Sequence, residues 1–427
     1  MRIEIMGMTI TEKMLARASG KSRVTPGEIV TVSVDWCMSN DATTHISIDI
    51  FQKQLKKQRI SDPRKVVFVV DHNVPCESIE TAFVQNKLRR FAREKGITVY
   101  DGEGVCHQLM FEKHVSPGDI VIAADSHTCA MGCLGAFGTG VGSTDFVGAM
   151  VTGNIWLMVP ETLRFHLKNR FGAGVTSRDL ILKIVGDIGA EGANYRAMDF
   201  GGPAMGDLNM SDRFALCNLA VEAGAKNGIV APDEITLAHL KEMGRPFEKP
   251  LSEFRADPDC QYKQVFEYDL SDLEPAIVSP HFVDNYDTVT RKAKENIRID
   301  QGFIGACSNG RIEDLRMAGT ILKGRKVKPS VKLIVSPASR RVYRQAIDEG
   351  LIGQFLESGA MVVNPNCSVC WGGCQGVLGD GEVLISTGTR NFKGRAGSKS
   401  SFVYLASAAS VAAASLEGKI VDPRNYL

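Results

Sequence analysis

Short apolar runs alternate with amphipathic segments along the first third of the chain. Residues 65–75 (KVVFVVDHNVP) form a continuous apolar run that ends in polar residues, which is the pattern of a buried strand. Residues 78–96 have helical periodicity, with serine at the N-cap position, basic residues in the last turns and glycine at the end. Residues 97–104 and 119–128 predict two more strands. This alternation indicates an α/β fold with a parallel sheet.

Polar side chains stand at the ends of the apolar segments. They occur as Asp71-His72, His107-Gln108 and Asp125-Ser126-His127. Because ligands of parallel α/β sheets bind beyond the carboxyl ends of the strands, these side chains are candidates for a functional site.

A glycine-rich run covers residues 132–145 (GCLGAFGTGVGSTD). It does not directly follow a strand in a tight turn, and no acidic residue stands at the later position that a dinucleotide site requires. Close packing of backbone against backbone is therefore the favoured explanation for the glycines.

The rest of the chain predicts two further α/β units. Residues 179–192 and 213–230 have helical patterns, and the strands of the last unit fall at FIGAC, VKLIVSP, GAMVVNP and EVLIST. We predict three α/β domains, at residues 1–158, 159–286 and 287–427.

Composition narrows the class of protein. The 427 residues are 44% hydrophobic and 23% charged, with a formal net charge of +1, so no global field favours nucleic acid or a membrane surface. No apolar stretch reaches the roughly 18–20 residues of a membrane span. The first residues lack the order of a secretory signal. A cytoplasmic protein is expected.

The chain has eleven cysteines. An odd number without a secretory signal argues against a disulfide framework. Most are expected to be small apolar core residues. Cys307, Cys367, Cys370 and Cys374 are the exception, because they lie in polar, glycine-rich motifs.

Three motifs of the last unit each follow a predicted strand: FIGACSNGR, NPNCSVCWGGC and STGTRNFKGR. They can therefore meet at one edge of one sheet. A single C-x-x-C is ambiguous between a redox dithiol, zinc and an iron–sulfur cluster. A zinc site would be expected to have two C-x-x-C motifs, and this chain has one. A thioredoxin-type motif should begin a helix early in a βαβ unit, whereas this one lies late in the chain beside glycines.

Four motifs occur together in a characteristic order: DSHT, the glycine run with VGSTD, the CSNGR cysteine and the later C-x-x-C. Over essentially its whole length the chain resembles the aconitase superfamily, and most closely the separate large subunits of 3-isopropylmalate dehydratase and homoaconitase-like hydro-lyases. The resemblance implies three α/β/α domains around a central [4Fe-4S] cluster held by Cys307, Cys367 and Cys370. Three thiolates leave one iron open as a Lewis acid toward substrate.

The resemblance also implies the other site residues. Those expected to act in catalysis are Asp71, His72, His107, Asp125, His127 and Glu222. Those expected to contact substrate are Asn40, Thr43, Ser126, Asn218, Arg390 and Arg395. The set is chemically coherent, because arginine grips carboxylates bidentately and a histidine held by an acid protonates a leaving hydroxyl.

The chain departs from the family pattern at four positions. Thr389 replaces an asparagine, Ala306 replaces a serine, and Trp371 stands where a smaller residue is usual. Cys374 is additional. As a fourth ligand Cys374 would close the open iron, whereas as a packed free thiol it would leave that iron open.

The implied function is that of the large subunit of a hydro-lyase, with 3-isopropylmalate, isomerised to 2-isopropylmalate in leucine biosynthesis, as the favoured substrate. Homoaconitate, 2,3-dimethylmalate, citraconate and maleate-type acids are alternatives. The swivelling domain of full-length aconitases is missing, so a separate small subunit is expected as partner. An RNA-binding, cluster-free regulator is disfavoured by the neutral charge, and a structural zinc or redox module is the remaining alternative.

Overall fold

The described part of the chain forms four β-sheets with helices packed between and around them. A computed structural model describes residues 7–55 and 59–427 of the chain. Within these ranges, every helix is too short or too polar to traverse a bilayer. The observed mixture of sheets and helices confirms the α/β fold class.

The first 158 residues contribute two sheets. The strands are β1 (Ile29–Ser33), β2 (Trp36–Asn40), β3 (Val66–Val70), β4 (Thr98–Asp101), β5 (Ile120–Ala123), β6 (Phe137–Gly140) and β7 (Asn154–Met158). The helices are α1 (Ile10–Ala18), α2 (Asp41–Gln54), α3 (Ile79–Lys95), α4 (Cys106–Lys113) and α5 (Ser143–Thr152). Five parallel strands pair in the order β4-β3-β2-β5-β6, and β1 pairs with β7 antiparallel.

The strands and the helix predicted from periodicity are present. Ser78 caps α3 by accepting a hydrogen bond from the backbone N–H of Thr81 at 3.1 Å. Gly96 ends the helix at φ +71°, which is accessible to glycine at little cost. All five residues of β3 are buried, as expected of a central parallel strand.

The glycine-rich run packs backbone against backbone, as predicted. It contains the end of a 3₁₀ helix (Ser126–Leu134), then β6 and the start of α5. A Cβ on Gly132 would lie 1.6 Å from the carbonyl oxygen of Gly228. A Cβ on Gly140 would lie 2.5 Å from that of Asp125, so no larger residue fits at either position without displacing the backbone.

The second part of the chain forms a four-stranded parallel sheet in the order β10-β9-β8-β11. Its strands are β8 (Thr162–Lys168), β9 (Ala197–Gly201), β10 (Asn227–Val230) and β11 (Gln264–Asp269); its helices are α6 (Ser177–Ile188), α7 (Met210–Asn218) and α8 (Glu234–Glu242). The helical prediction for residues 213–230 is wrong at its end. Gly224, at φ +85°, terminates a 3₁₀ turn, and the buried residues after it form β10.

The last part forms a seven-stranded sheet in the order β13-β12-β18-β17-β14-β15-β16. Its strands are β12 (Ala276–Val278), β13 (Tyr286–Thr288), β14 (Gln301–Ile304), β15 (Lys332–Val335), β16 (Met361–Val362), β17 (Val383–Ser386) and β18 (Phe402–Ala406). Its helices are α9 (Val289–Lys292), α10 (Ala306–Asn309), α11 (Ile312–Leu322), α12 (Arg340–Asp348), α13 (Leu351–Ser358) and α14 (Ala408–Glu417).

The five strands from β18 to β16 are parallel, and β12 and β13 add an antiparallel edge. The four strands predicted for this part are therefore present, with their carboxyl ends at one edge. The division into three domains stays a prediction; β12 pairs within the third sheet although it precedes the predicted boundary at 286/287.

Candidate active site

A small buried cavity lies where the loops after the strands of the first and third sheets meet; we call it the central cavity. Its described walls are His72, His107, Asp125, His127, Ala306, Cys307, Cys367, Cys370, Trp371, Thr389 and Arg395. These residues follow β3, β4, β5, β14, β16 and β17. The convergence of strand ends expected from the sequence is therefore observed, and it joins two different sheets.

Three cysteines share the central cavity. Cys307 lies on α10, directly after β14, while Cys367 and Cys370 lie in the loop after β16. Burial raises the pKa of Cys367 well above its ordinary value, and the neighbouring Asp71, Cys307 and Cys370 raise it further. Such crowding of buried thiols is unfavourable for free thiolates, and a metal ion or cluster that binds them relieves it.

Polar groups approach two of these sulfurs. The Asn218 side-chain amide donates to Cys307 Sγ at 3.4 Å, and Thr389 Oγ1 lies 3.7 Å from Cys370 Sγ. Burial opposes ionisation of Cys370, but Arg395 and Thr389 hold its pKa below the ordinary value. Three thiols on one cavity, two of them beside hydrogen-bonding side chains, are a donor set that fits an iron–sulfur cluster.

Cys374 is arranged differently. Its thiol donates to the backbone carbonyl oxygen of His72 at 3.3 Å, and it is not among the described residues that line the central cavity. Burial raises its pKa to about 11. This is the geometry of a packed free thiol.

His72 is held by an acid. Its Nδ1 lies 2.8 Å from Asp71 Oδ1, while Asp71 Oδ2 accepts from the backbone N–H of Cys106 at 2.6 Å. Burial lowers the pKa of His72, but Asp71 and Asp41 outweigh it and the pKa is raised to about 9. His72 is therefore a buried imidazolium at neutral pH.

Asp41, the first residue of α2, shapes the turn that carries this pair. Its Oδ1 accepts from the backbone N–H groups of Asp71 and His72 at 3.1 and 2.9 Å, and its Oδ2 accepts from that of Asn73 at 3.2 Å. The sequence prediction did not assign Asp41. Its position between the predicted residues Asn40 and Thr43 was the available signal.

Asp125 lies between two histidines. Its Oδ1 accepts from the backbone N–H of His127 at 3.0 Å, and its Oδ2 accepts from the Asn40 amide at 2.9 Å. His107 Nε2 lies 3.4 Å from Asp125 Oδ1 and has no hydrogen-bond partner among the described residues. Burial raises the pKa of Asp125, but His107 and His127 reverse this and hold it well below the ordinary value.

Glu222 joins a histidine to an arginine. His127 Nε2 lies 2.9 Å from Glu222 Oε1, and Arg390 Nε donates to both Glu222 oxygens at 2.9 and 3.1 Å. Burial lowers the pKa of His127, but Asp125 and Glu222 outweigh it and leave the pKa raised. Arg390 also donates through Nη2 to Ser126 Oγ at 3.0 Å. His127 thus lines the cavity and contacts two acids, Asp125 and Glu222.

Most of the predicted site residues either line the central cavity or bond directly to one that does. Thr43 and Arg390 are each one residue further away: Thr43 Oγ1 lies 3.2 Å from Asn40 Oδ1, and Arg390 bonds to Glu222. Arg178 was missed. It is fully buried beside Gly388, and the amphipathic pattern of α6 gave no signal for a cation near the cysteines.

Comparisons with known proteins identify the family of the chain. The model of the aconitase family (aconitate hydratase) matches residues 12–418. The chain is 49% identical over 421 residues to a probable 3-isopropylmalate dehydratase large subunit of Methanothermobacter thermautotrophicus, covering 98% of this chain and 99% of that protein. It is 45% identical over 429 residues to 3-isopropylmalate dehydratase large subunit 1 of Methanopyrus kandleri, covering 99% and 100%.

Among solved structures, the chain is similar to the holo-form of Thermococcus kodakaraensis aconitase X, with a TM-score of 0.50 and 12% identity over 84% of each chain. At this identity the likeness concerns the fold.

Proposed function

Because the chain belongs to the aconitase family, we propose that it is the large, cluster-binding subunit of a two-subunit hydro-lyase. The proposed reaction removes water from a small hydroxy-acid and adds it back at the neighbouring carbon. One observation carries the proposal: three cysteines, acid-held histidines and arginine Arg395 converge on one cavity. The names of the relatives make 3-isopropylmalate the proposed substrate, and homoaconitate, 2,3-dimethylmalate, citraconate and maleate-type acids are the alternatives.

Cys307, Cys367 and Cys370 are the proposed ligands of a [4Fe-4S] cluster. When bound, such a cluster with three thiolates supplies a Lewis-acidic iron for a substrate hydroxyl and carboxylate. The hydrogen bond of Cys374 to His72 supports three ligands from this chain rather than four.

His127 is the proposed acid for the leaving hydroxyl. The acids on either side hold its proton to higher pH than for an ordinary histidine, and they fix the ring at the cavity wall. His107, whose pKa is lowered chiefly by burial, is proposed to orient the substrate or its water by hydrogen bonding.

The arginines are the proposed grip on substrate carboxylates. Arg395 lines the central cavity, and its Nε has no hydrogen-bond partner among the described residues. Glu222 and Ser126 hold Arg390 in one orientation, which lowers the entropic cost of using it. The cationic His72 adds a further positive charge to the same cavity.

The base that removes the carbon-bound proton is proposed to lie on a separate small subunit, as the words "large subunit" in the relatives' names suggest. We expect the anaerobically reconstituted chain to show a broad absorbance near about 400 nm, as iron–sulfur proteins do. We expect hydration and dehydration of 3-isopropylmalate only after the small subunit is added. Iron-free, colourless protein after reconstitution contradicts the cluster, and turnover by the large subunit alone contradicts the divided site.

Trp371, which stands where the family usually has a smaller residue, is the proposed contact for an apolar arm of the substrate. It is the one large apolar side chain among the described residues lining the central cavity, and it is 37% exposed. Its ring stands edge-on to His72 with centroids 5.1 Å apart. We expect Trp371→Ser to raise the KM for 3-isopropylmalate by roughly tenfold, the usual effect of losing an apolar contact on discrimination. Hydration of citraconate, which has only a methyl arm, should change much less.

Trp156→Ser is the matched control, because Trp156 is an exposed tryptophan on β7 outside the central cavity. Its KM for either acid should equal that of the wild-type enzyme. Parallel losses for both acids in Trp371→Ser would show that the indole only supports His72, and would remove this argument for the apolar arm.

A further inference from the structure

Arg178 is a fully buried cation that the proposed mechanism does not use. It is the second residue of α6, and its side chain is entirely shielded from solvent. Its Nη2 donates to the backbone carbonyl oxygen of Gly388, while Nε and Nη1 have no partner among the described residues. A buried charge left in this way is strongly unfavourable unless another charge compensates it.

The acids around Arg178 are already engaged elsewhere. Asp179 accepts from the backbone N–H of Ala276 at 2.8 Å and from that of Thr176 at 2.8 Å. Asp314 accepts from the Asn309 amide at 2.7 Å and from the backbone N–H of Arg311 at 3.1 Å. Burial raises the pKa of both carboxyls to about 6, and among the described residues neither carboxylate forms a hydrogen bond or contact ion pair with the guanidinium.

The hydrogen bond of Arg178 to Gly388 instead places the guanidinium near the cysteines. Gly388 belongs to the loop after β17, and a Cβ on it would lie 3.3 Å from Cys370 Sγ. Burial lowers the pKa of Arg178 to about 10, and the nearby Cys370, Asp179 and Asp314 oppose this. The guanidinium therefore stands behind the loop that packs on this sulfur.

We propose that Arg178 is the buried counter-charge of the cluster. The inference rests on the proposed function for the presence of the cluster. A [4Fe-4S] core held by three thiolates is an anion, because the thiolates carry more negative charge than the core carries positive charge. A fixed cation nearby stabilises the more negative, reduced state, and it reciprocally gains the partner that it lacks.

If Arg178 has this role, replacing it should affect the cluster-free and the cluster-bound protein differently. Without the cluster, Arg178→Met removes an unpaired buried charge and should leave the thermal unfolding midpoint unchanged or raise it. With the cluster, the same change removes the counter-charge, so the reduction potential should become more negative. Arg178→Lys keeps the charge and should keep the potential close to that of the wild type.

The experiment compares wild type, Arg178→Met and Arg178→Lys, each iron-free and anaerobically reconstituted. We would measure the thermal unfolding midpoint of the iron-free and the reconstituted protein. The reduction potential of the cluster would be followed by electron paramagnetic resonance during a redox titration. Arg178→Gln takes the place of Arg178→Met if the latter does not fold. Arg170→Met is the matched control, since it removes an exposed arginine that is paired with Asp207, and it should shift neither quantity.

Equal destabilisation of both forms by Arg178→Met would indicate a merely structural role and overturn the inference. An unchanged reduction potential would overturn it as well. A wild-type chain that takes up no cluster contradicts the proposed function itself and the inference with it. That result is distinct from a wild-type cluster whose potential does not respond to Arg178→Met, which contradicts the inference alone.

Discussion

Replacing Cys367 with serine is expected to abolish the iron–sulfur absorbance of the reconstituted chain. Hydro-lyase activity should fall by roughly a hundredfold or more, which exceeds the loss usual for residues that only support metal ligands. Its sulfur lines the central cavity, and its backbone N–H donates to the carbonyl oxygen of Asp71 at 2.8 Å. Serine keeps that backbone position but is not ionised at neutral pH. Iron and sulfide per chain, absorbance, and activity with the small subunit are the measurements.

Cys374→Ser is the control for this prediction. A serine hydroxyl can donate to the His72 carbonyl in the same way as the thiol. The variant should therefore retain its iron and most of its activity. Equal loss of iron from Cys374→Ser and Cys367→Ser would identify Cys374 as a fourth ligand and contradict an open iron.

The sequence predicted the elements that hydrophobic periodicity describes best. β3, β5 and β14 are buried along their whole length, so they read as apolar runs bounded by polar loops. Other elements were harder to predict. β12 and β13 have three residues each, and β12 pairs with β18 on one side and with β13 on the other. β10 follows a 3₁₀ helix with only a glycine turn between them.

The residues of the site also divide into those that the sequence predicted and those that it did not. Strand-end motifs predicted which histidines, acids and cysteines share the central cavity, because motif order and strand polarity are both written in the sequence. Arg178 was not predictable in this way. Its partner Gly388 lies 210 positions away, and only the packing of α6 against the loop after β17 brings the two together. Asp41 likewise acquires its role from three backbone N–H groups of another turn.

A second large loss is expected for His127→Asn. As the proposed acid, His127 should contribute about 10²–10⁴-fold to turnover, and asparagine cannot deliver a proton to the leaving hydroxyl. The asparagine can still fill part of the ring's volume near Glu222. Turnover at saturating 3-isopropylmalate should therefore fall by that factor, while iron content and absorbance stay at the wild-type level.

The pH profile tests the same role through Glu222. Because Asp125 and Glu222 raise the pKa of His127, the acid form persists to higher pH than for an ordinary histidine, and dehydration slows as pH rises through the raised value. Glu222→Gln removes one of the two charges that raise the pKa. The alkaline limb of kcat/KM should therefore move to lower pH, in addition to any loss caused by releasing Arg390.

His166→Asn on β8 is the matched control, since this partly exposed histidine lies outside the central cavity and the same substitution should leave turnover unchanged. Loss of iron from His127→Asn would mean that the histidine supports the cysteines rather than the proton transfer. An alkaline limb that stays in place in Glu222→Gln would mean that another group donates the proton. His72, with its pKa raised to about 9 and its ring on the same cavity, is then the candidate. The two histidines are distinguishable because their acids differ: Glu222 bonds to His127, and Asp71 bonds to His72.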